Sequence, residues 1–399
     1  MDKILNRKRL VILGLNSGTS ADGLDLAALR FSRSSKGVRI KFLQGLTRRF
    51  DKTLRDEILR CSDSRRVSLE ELISLDQMLG VFFGRKAVAF VNSLATSGVA
   101  VDAVASHGQT VRHMPSARRI GPYHVRGTLQ LGSPEQIAKI TGKVVVSDFR
   151  QADIALGGEG APITVEAMRR LLADSNESRL IVNIGGMANF FYFPRGAGSS
   201  GTRAADCGPG NVLCDLLSKR LFGEKYDRDG RRAAQGEVSG ILMSLLKRHS
   251  ARHRKTISTG REVFGVRLIE RMLASAKRHS VSYQDVMATA AEFTVRSILE
   301  RVVPIIARDS RVEKLYLTGG GVHNKFFVRR LKTHLGDVEV DTVDKLGMSP
   351  DLAEAAAYAV IGHNTLVSRP TATRFGSPTR QTGVPILGRI IQPPARVSW

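Results

Sequence analysis

Four glycine-rich turns, each beside a short apolar run, constrain the fold of this chain more than any other feature of its sequence. They span residues 16–23, 183–186, 206–211 and 318–321. Glycine lets backbone N–H groups approach a phosphate without an intervening Cβ, and hydroxyl or carboxylate side chains in such turns can hold the magnesium of a nucleotide. The pattern therefore indicates a protein built around a nucleoside triphosphate.

The length of 399 residues, with 42% hydrophobic content, predicts two cores and hence two lobes. We expect an N-terminal lobe at 1–146, completed by the tail 370–399, and a C-terminal lobe at 147–369. The apolar runs are shorter than the roughly 18 residues of a membrane span, and residues 1–10 lack the apolar segment of a secretory signal. These features predict a cytoplasmic protein without a membrane partner.

The net charge of +24 has two interpretations, a nucleic-acid function or a generally basic surface that attracts anionic ligands. The basic pairs are scattered along the chain, with no dense tail and no interleaved aromatic residues. We therefore favour the basic surface and expect no specific nucleic-acid partner. A homodimer is compatible with the sequence.

The three cysteines fit neither a disulfide framework nor a zinc site. Cys207 and Cys214 flank a glycine turn and could form a redox pair. Small buried thiols are the favoured alternative.

The order of apolar segments predicts an α/β protein in which each lobe contains a hairpin with a polar tip. The predicted strands are 10–15, 24–31, 101–106, 144–147, 179–182, 190–193 and 314–317, and the predicted helices are 68–97, one opening after residue 211, 283–308, one from 324, and 351–367. The first hairpin differs from the strand, loop and helix of a Walker A motif. Polar residues follow the third and fourth strands, at the carboxyl edge where α/β proteins place their sites.

Eight motifs occur in the order found in the anhydro-N-acetylmuramic acid kinases, which this chain resembles from about residue 10 to 393. They are residues 14–25, 106–110, 148–150, 157–162, 183–186, 206–211, 258–262 and 319–321. The resemblance implies the two-lobed α/β fold of the sugar kinase, hsp70 and actin superfamily, with an ATP cleft between the lobes. It also implies an enzyme that opens the 1,6-anhydro ring of its sugar with water and phosphorylates O6, using ATP and Mg²⁺.

The resemblance also implies roles for individual residues of this sequence. Asp206 matches the catalytic base, and its place before a glycine turn and a helix supports this role, with a helix N-cap as the alternative. The residues that match the ATP site are Ser17, Gly18, Thr19, Ser20, Asp22, Gly23, Asn183, Gly185, Gly186, Gly319, Gly320 and Gly321.

The residues expected to bind the sugar are His107, Gln109, Arg150, Gly208 and Asn211. Arg150 is a candidate for the lactyl carboxylate, because a guanidinium matches a carboxylate in charge and planarity. Asp25 is a candidate for the magnesium shell. For His107 a purely structural role, and for Asp25 a plain surface position, are the alternatives.

Several positions depart from the family pattern, mostly on the substrate side. They are Asn16, Gln151, Glu159, Ile257 and a longer stretch between residues 115 and 128. Two further hypotheses therefore stand beside the first: a divergent kinase of another sugar or amino sugar, and a binding protein that responds to ATP without turnover. Asp206 disfavours the second of these, since a protein that only binds ATP needs no base.

Overall fold

The computed structural model describes residues 7–35, 37–64, 66–196, 201–252, 263–371 and 384–395. The chain forms two compact units, one from Met1–Leu171 and Leu352–Trp399, the other from Leu172–Asp351. The first boundary lies later than expected because residues 147–171 remain with the first unit, where Gln151 Nε2 donates to Thr128 O over 3.1 Å. The second boundary lies earlier because the last helix packs on the first strand, where a Cβ on Gly14 would lie 1.9 Å from Ala355 O.

The first unit is built on a seven-stranded sheet. Its strands are β1 (Arg9–Ser17), β2 (Gly23–Ser34), β3 (Gly37–Arg49), β4 (Ala103–Ile120), β5 (Tyr123–Leu131), β6 (Val144–Ser147) and β12 (Arg389–Ile391). The order is β12-β6-β4-β1-β2-β3, and β5 pairs with β4. β1, β2 and β3 pair antiparallel, whereas β4 runs parallel to β1 and to β6. β12 pairs antiparallel with β6, which places the described part of the tail in this sheet.

The helices of the first unit are α1 (Lys52–Asp63), α2 (Leu69–Thr96), α3 (Pro134–Thr141), α4 (Gln151–Ala155), α5 (Val165–Leu172) and α11 (Ala353–Leu366). The first three of these begin after a residue whose side chain caps the helix, namely Asp51, Ser68 and Ser133. Ser68 and Glu71 form the predicted capping box at the start of α2. Ser133 caps α3 ahead of Pro134, a residue suited to the first helical turn.

Within the described residues, α2 is the one helix long and apolar enough to cross a membrane. Core helices pass the same test, and the buried residues of α2, among them Leu79, Phe83 and Phe90, belong to the core of the first unit. Asp76 on the same helix accepts a hydrogen bond from Gly132 N over 2.8 Å. These contacts indicate a core helix.

The second unit is built on a five-stranded sheet in the order β11-β10-β7-β8-β9. Its strands are β7 (Arg179–Ile184), β8 (Met187–Phe193), β9 (Arg203–Pro209), β10 (Lys314–Thr318) and β11 (Glu339–Thr342), and its helices are α6 (Val212–Phe222), α7 (Gly240–Arg252), α8 (Val266–Arg278), α9 (Tyr283–Arg308) and α10 (Lys325–Leu335). β7, β8 and β9 pair antiparallel, and β10 runs parallel to β7 and β11.

Both sheets thus place three antiparallel strands beside two parallel ones in the same order. This repeated topology confirms the α/β fold expected for the sugar kinase, hsp70 and actin type. It also confirms a polar-tipped hairpin in each unit, β1–β2 in the first and β7–β8 in the second.

The predicted strand that differs most from the structure is β4. β4 does not end at residue 106 but continues to Ile120 and pairs with β5 to form a long hairpin. Pairing of Gln109 with Ser17 on one side and with Leu131 on the other keeps the polar segment extended. His107 and Gln109 therefore lie within a strand.

Candidate active site

The first candidate phosphate turn joins β1 to β2, and hydrogen bonds to the side chain of Gln109 stabilise it. Ser17 Oγ donates to Gln109 Oε1 over 2.5 Å, and Gln109 Nε2 donates to Gly18 O over 3.3 Å. Ala21 N closes the turn on Gly18 O at 3.1 Å. Ser17 and Gln109 are buried, whereas Thr19 at the tip is exposed. The structure therefore places Gln109 with this turn.

Two carboxylates lie beside the same turn. Asp25 is the cross-strand partner of Asn16, and Asn16 Nδ2 donates to Glu354 Oε2 over 3.0 Å. Asp25 also accepts a hydrogen bond from Thr47 Oγ1 at 2.6 Å. The described residues contain no group of three or more His, Cys, Asp or Glu side chains that could hold a metal. Mg²⁺ bound together with a nucleotide needs only one or two protein carboxylates, because phosphates and water complete its shell.

A buried histidine orients the candidate sugar-binding arginine. Arg150 Nε donates to His107 Nε2 over 2.9 Å, and Arg150 Nη1 donates to Gly160 O over 3.0 Å. The His107 ring stacks on Tyr358 with 4.4 Å between ring centroids. Burial, reinforced by the charge of Arg150, holds the pKa of His107 well below its usual range. His107 is therefore a neutral hydrogen-bond acceptor for the guanidinium.

The loop that contains Gly160 is closed by a buried aspartate. Asp153 Oδ2 accepts a hydrogen bond from Gly160 N at 2.8 Å, and Asp153 O accepts one from Gly158 N at the same distance. A Cβ on Gly158 would lie 2.0 Å from Asp153 Oδ2, so this position requires glycine. The loop thus presents a fixed carbonyl to Arg150.

A cavity of about 440 Å³ opens beside these residues. Its lining combines both predicted substrate motifs with β5 and β12, through His107, Gly108, Asp148, Gln151 and others. Ser106 also lines it, and its buried hydroxyl makes no hydrogen bond within the part of the chain that the structure describes. A cavity of this size accommodates a small ligand.

In the second unit, four polar residues form a row across neighbouring strands. Thr318 on β10 is opposite Asn183 on β7, Asn183 is opposite Asn189 on β8, and Asn189 is opposite Asp206 on β9. Directly paired residues share one face of a sheet. The row therefore lies on one face, near the end of β7 from which the Gly185–Gly186 turn leaves.

The three glycine turns of the second unit interlock. Asn211 N donates to Gly185 O at 2.8 Å, and Asn211 Nδ2 donates to the carbonyls of Ile184 and Gly185 at 3.1 and 3.0 Å. A Cβ on Gly210 would lie 2.3 Å from Gly185 O, and one on Gly319 would lie 2.3 Å from Asn183 Oδ1. The structure thus brings the turns at 183–186, 208–211 and 319–321 together.

Three further glycines of these turns have distinct environments. Gly208 has φ of 139°, and Gly321 packs so closely that a Cβ would lie 2.3 Å from Ile184 Cγ2. Gly320, by contrast, has open space where a Cβ would point. Asn211 is half-buried, and its side chain donates to the backbone carbonyls of Ile184 and Gly185.

The sequence suggested that Asp206 lies just before the start of a helix. In the structure it lies in strand β9. Asn211 occupies the N-cap of α6, so the alternative of an N-cap aspartate is wrong. A register shift in the β8–β9 pairing leaves Cys207 without an opposite residue, a bulge of the kind that redirects neighbouring side chains. Asp206 is half-buried.

The cysteines of the described residues are all free thiols. Cys61 and Cys214 are buried, as expected for small core residues. Burial and the neighbouring Asp206 raise the pKa of Cys207, so its thiol is protonated at neutral pH. A redox pair is therefore disfavoured.

The sequence motifs did not single out three residues of the first-unit site: Asp153, Glu354 and His113. His113 lies on β4, with both ring nitrogens buried and unpaired within the described residues. Burial, with a smaller effect of Arg150, lowers the pKa of His113 to about 4. Its place four residues after Gln109 on the same strand is the signal that could have identified it. The motif at residues 258–262, with Ile257, lies outside the described residues.

Comparison with known proteins assigns this geometry to a family. The family model for anhydro-N-acetylmuramic acid kinase matches residues 10–392. The chain is similar to the anhydro-N-acetylmuramic acid kinase of Clostridioides difficile (strain 630), with 35% identity over 89% of this chain and 91% of the relative. It is also similar to the enzyme of that name from Trichormus variabilis (strain ATCC 29413 / PCC 7937), with 35% identity over 96% of this chain and 97% of the relative.

Among solved structures, the chain is similar to the activator of the 2-hydroxyisocaproyl-CoA dehydratase from Clostridium difficile with bound ADPNP. The TM-score is 0.41 at 12% identity, covering 88% of this chain and 93% of the other. That likeness is too weak to bear on the fold, which the topology of the two sheets establishes.

Proposed function

Because this chain belongs to the anhydro-N-acetylmuramic acid kinase family, we propose that it hydrolyses the 1,6-anhydro ring of anhydro-N-acetylmuramic acid and phosphorylates O6 with ATP. The product is N-acetylmuramic acid 6-phosphate. Similarity to enzymes of this name over nearly the whole chain carries the proposal. It disfavours both a kinase of an unrelated sugar and a binding protein without turnover.

Asp206 acts as the base of the reaction. It accepts a proton from the water that attacks the anomeric carbon, and the bond from that carbon to O6 breaks. O6 then takes the γ-phosphoryl group from ATP as the bond between the γ-phosphorus and the β–γ bridging oxygen breaks and ADP leaves. The half-buried position of Asp206, beside a bulge and in line with Asn189 and Asn183, supports this role. A polar row on one sheet face can position both the base and the water.

The glycine turns bind ATP. In the first unit, the turn of Ser17, Gly18, Thr19, Ser20, Asp22 and Gly23 offers backbone N–H groups and hydroxyls to phosphate oxygens. In the second unit, Asn183, Gly185 and Gly186 serve the phosphates, and Gly319, Gly320 and Gly321 serve the nucleoside. The side chains of Gln109 and Asn211 stabilise these turns through their hydrogen bonds to Gly18 O and Gly185 O.

Mg²⁺ fits the oxygen donors beside the first turn. Asp25 and Glu354 would hold it, since Asn16 lies opposite the first and donates to the second. The ion supplies charge neutralisation at the phosphates when it is bound. The chain's own contribution is the placement of two carboxylates next to the turn.

Arg150 binds the lactyl carboxylate of the sugar, and its hydrogen-bond partner His107 lines the cavity together with Ser106 and Gln151. His107 orients the guanidinium through its neutral ring, and Gly160 O holds a second nitrogen of the same group. Gly208 gives the sugar close access to the chain near Asp206.

The family supports a small-molecule sugar as the partner of the enzyme. We extend this to a role in cell-wall recycling in the cytoplasm, because the proposed substrate is a peptidoglycan fragment. We also propose that the enzyme forms a homodimer.

The test is turnover with ATP in water enriched in oxygen-18, using the anhydro sugar and, in parallel, N-acetylmuramic acid, N-acetylglucosamine and glucose. We expect phosphorylation of the anhydro sugar alone, with the heavy oxygen on the anomeric carbon of the product. Label in the phosphate would contradict the mechanism. Faster turnover of a reducing sugar would contradict the substrate.

A further inference from the structure

The hairpin of β4 and β5 carries an apolar face that is exposed to solvent. We call residues 112–129 the arm. Pairing of Ile120 with Tyr123, of Arg118 with Val125 and of Met114 with Gly127 places these six residues on one face, because paired residues and next-but-one residues share a face. The exposed hydrophobic side chains of that face are Met114 (41%), Ile120 (53%), Tyr123 (69%), Val125 (39%) and Leu129 (41%).

This clustering sets the arm apart from other exposed apolar residues. Single exposed hydrophobic side chains are normal on a protein surface, but a contiguous group on one face indicates an interaction site. Residues 116–126 are exposed without interruption, so the rest of the first unit does not cover the outer part of the face.

The arm is also strongly basic. It contains Arg112, Arg118, Arg119 and Arg126, and the sequence has no Asp or Glu between residues 103 and 134. Arg126 donates to Gly157 O, and Arg119 donates to Gly121 O within the turn. Arg118 lies on the apolar face itself. The partner of this surface must therefore be anionic and must also accept aliphatic side chains.

We propose that the arm docks on an anionic lipid bilayer surface, with Ile120 and Tyr123 at its tip inserted among the headgroups. Transfer of aliphatic and aromatic side chains from water to the headgroup region is favourable, and arginines near an anionic leaflet add electrostatic attraction. Such peripheral contact needs no membrane-spanning segment, so it is compatible with the core role of α2. It modifies the expectation that the protein has no membrane partner.

Two other occupants fit the arm less well. Nucleic acid would favour stacking aromatic residues, and the face offers one tyrosine among aliphatic side chains. A second copy would bring together two arms that carry arginines and no carboxylates, which electrostatic repulsion disfavours.

The test is co-sedimentation of the full chain with vesicles of phosphatidylcholine alone and with added phosphatidylglycerol, in low and high salt. We expect binding to the anionic vesicles only, weakened by salt. The double variant Ile120→Ser with Tyr123→Ser should lower the partition coefficient at least tenfold. Arg118→Gln with Arg119→Gln should lower it roughly 25-fold, since each basic residue near an anionic surface contributes about fivefold.

Matched controls lie on the same unit. Leu69→Ser with Ile73→Ser removes exposed apolar side chains (73% and 64% exposed) away from the arm, and Arg48→Gln with Arg49→Gln removes an exposed basic pair. Both should bind vesicles nearly as the parent does, and circular dichroism and kinase activity should show that all four variants are folded.

Three results would overturn the proposal: equal loss of binding in the control variants, binding that the apolar arm variants leave unchanged, or no binding by the parent. Light scattering that shows a dimer converted to monomer by the Ile120 and Tyr123 changes would assign the face to a second copy. Arm-dependent binding of duplex DNA at about 0.15 M salt, without vesicle binding, would assign it to nucleic acid.

Discussion

Arg150 Nε donates a 2.9 Å hydrogen bond to His107 Nε2, although 43 positions separate the two residues in the chain. The low pKa of His107 keeps its ring neutral, and a neutral ring nitrogen can accept from a guanidinium whereas a protonated one cannot. His107 is thus a positioning residue for Arg150.

Replacing His107 with leucine should remove this acceptor. We expect KM for the anhydro sugar to rise roughly tenfold or more, the usual effect of a lost hydrogen bond to a charged group, with little change in KM for ATP. His107→Gln retains an acceptor and should recover part of the loss. In a double-mutant cycle with Arg150→Lys the effects should be non-additive. Additive losses would mean that His107 does not act through Arg150.

Asp206→Asn should abolish the base while preserving side-chain shape. Because an amide cannot accept the proton of the attacking water, kcat should fall by roughly 10² to 10⁴ while ATP binding, measured by calorimetry, is retained. Asp337→Asn, at an exposed position of the same unit, is the control. Turnover of Asp206→Asn within a few-fold of the parent would exclude the proposed role.

Asp25→Asn should weaken Mg²⁺ binding beside the first turn. We expect the Mg²⁺ concentration for half-maximal activity to increase several-fold, because a neutral oxygen replaces a carboxylate in the proposed shell. Titration of Mg²⁺ at fixed ATP measures this, and Asp56→Asn, which is exposed on α1, provides the comparison. An unchanged Mg²⁺ requirement would remove Asp25 from the metal site.

Gly210→Ala should separate the interlocked turns of the second unit. Its Cβ would lie 2.3 Å from Gly185 O, whereas a Cβ on Gly240 meets nothing within 4 Å. We expect Gly210→Ala to lower the free energy of unfolding by about 1–3 kcal/mol and to weaken ATP binding. Gly240→Ala should do neither. Urea denaturation and calorimetry measure both, and equal effects of the two substitutions would argue against the interlock.

His363 should make stability depend on pH. Its ring stacks on Phe31 at 4.3 Å, and burial, followed by the charge of Arg170, lowers its pKa to about 4 from the usual 6.5. The unfolded chain therefore binds more protons than the native state between these values, so stability is lost as pH falls. From pH 7.5 to 5 this group alone should cost about 2 kcal/mol.

The measurement is urea denaturation of the parent and of His363→Gln at both pH values. The variant should lose less stability on acidification than the parent, whatever its stability at pH 7.5. His124→Gln, an exposed substitution, should behave as the parent does. An identical pH dependence for His363→Gln would contradict the effect.

Local patterns predicted those elements whose ends carry their own signals. α9 begins after the N-cap Ser282 and spans Tyr283–Arg308 as expected, and β6 spans Val144–Ser147 as expected. The start of α9 carries a residue with a strong preference for the N-cap position, and β6 contains an uninterrupted apolar run.

Elements that depend on distant partners were not predictable in the same way. Strand β9, with Gly208 and Pro209 near its end, has the composition of a turn, and pairing with β8 keeps it extended. The contact between Asn16 and Glu354 joins residues 338 positions apart, so no local pattern indicates it. Candidate nucleotide residues could be found from glycine spacing, whereas the support that Gln109 and Asn211 give them required the folded chain.

The pairing of β12 with β6 has a consequence for synthesis on the ribosome. The first sheet gains its last strand, Arg389–Ile391, and its helix α11 only after the whole of the second unit has been translated. The second unit is continuous in sequence and can fold as soon as it emerges. Until translation is complete, the edge of β6 lacks its partner strand β12 and the face of β1 lacks the helix α11 that packs on it. Since domains fold as units during translation, the nascent first unit should be the part that chaperones hold longest.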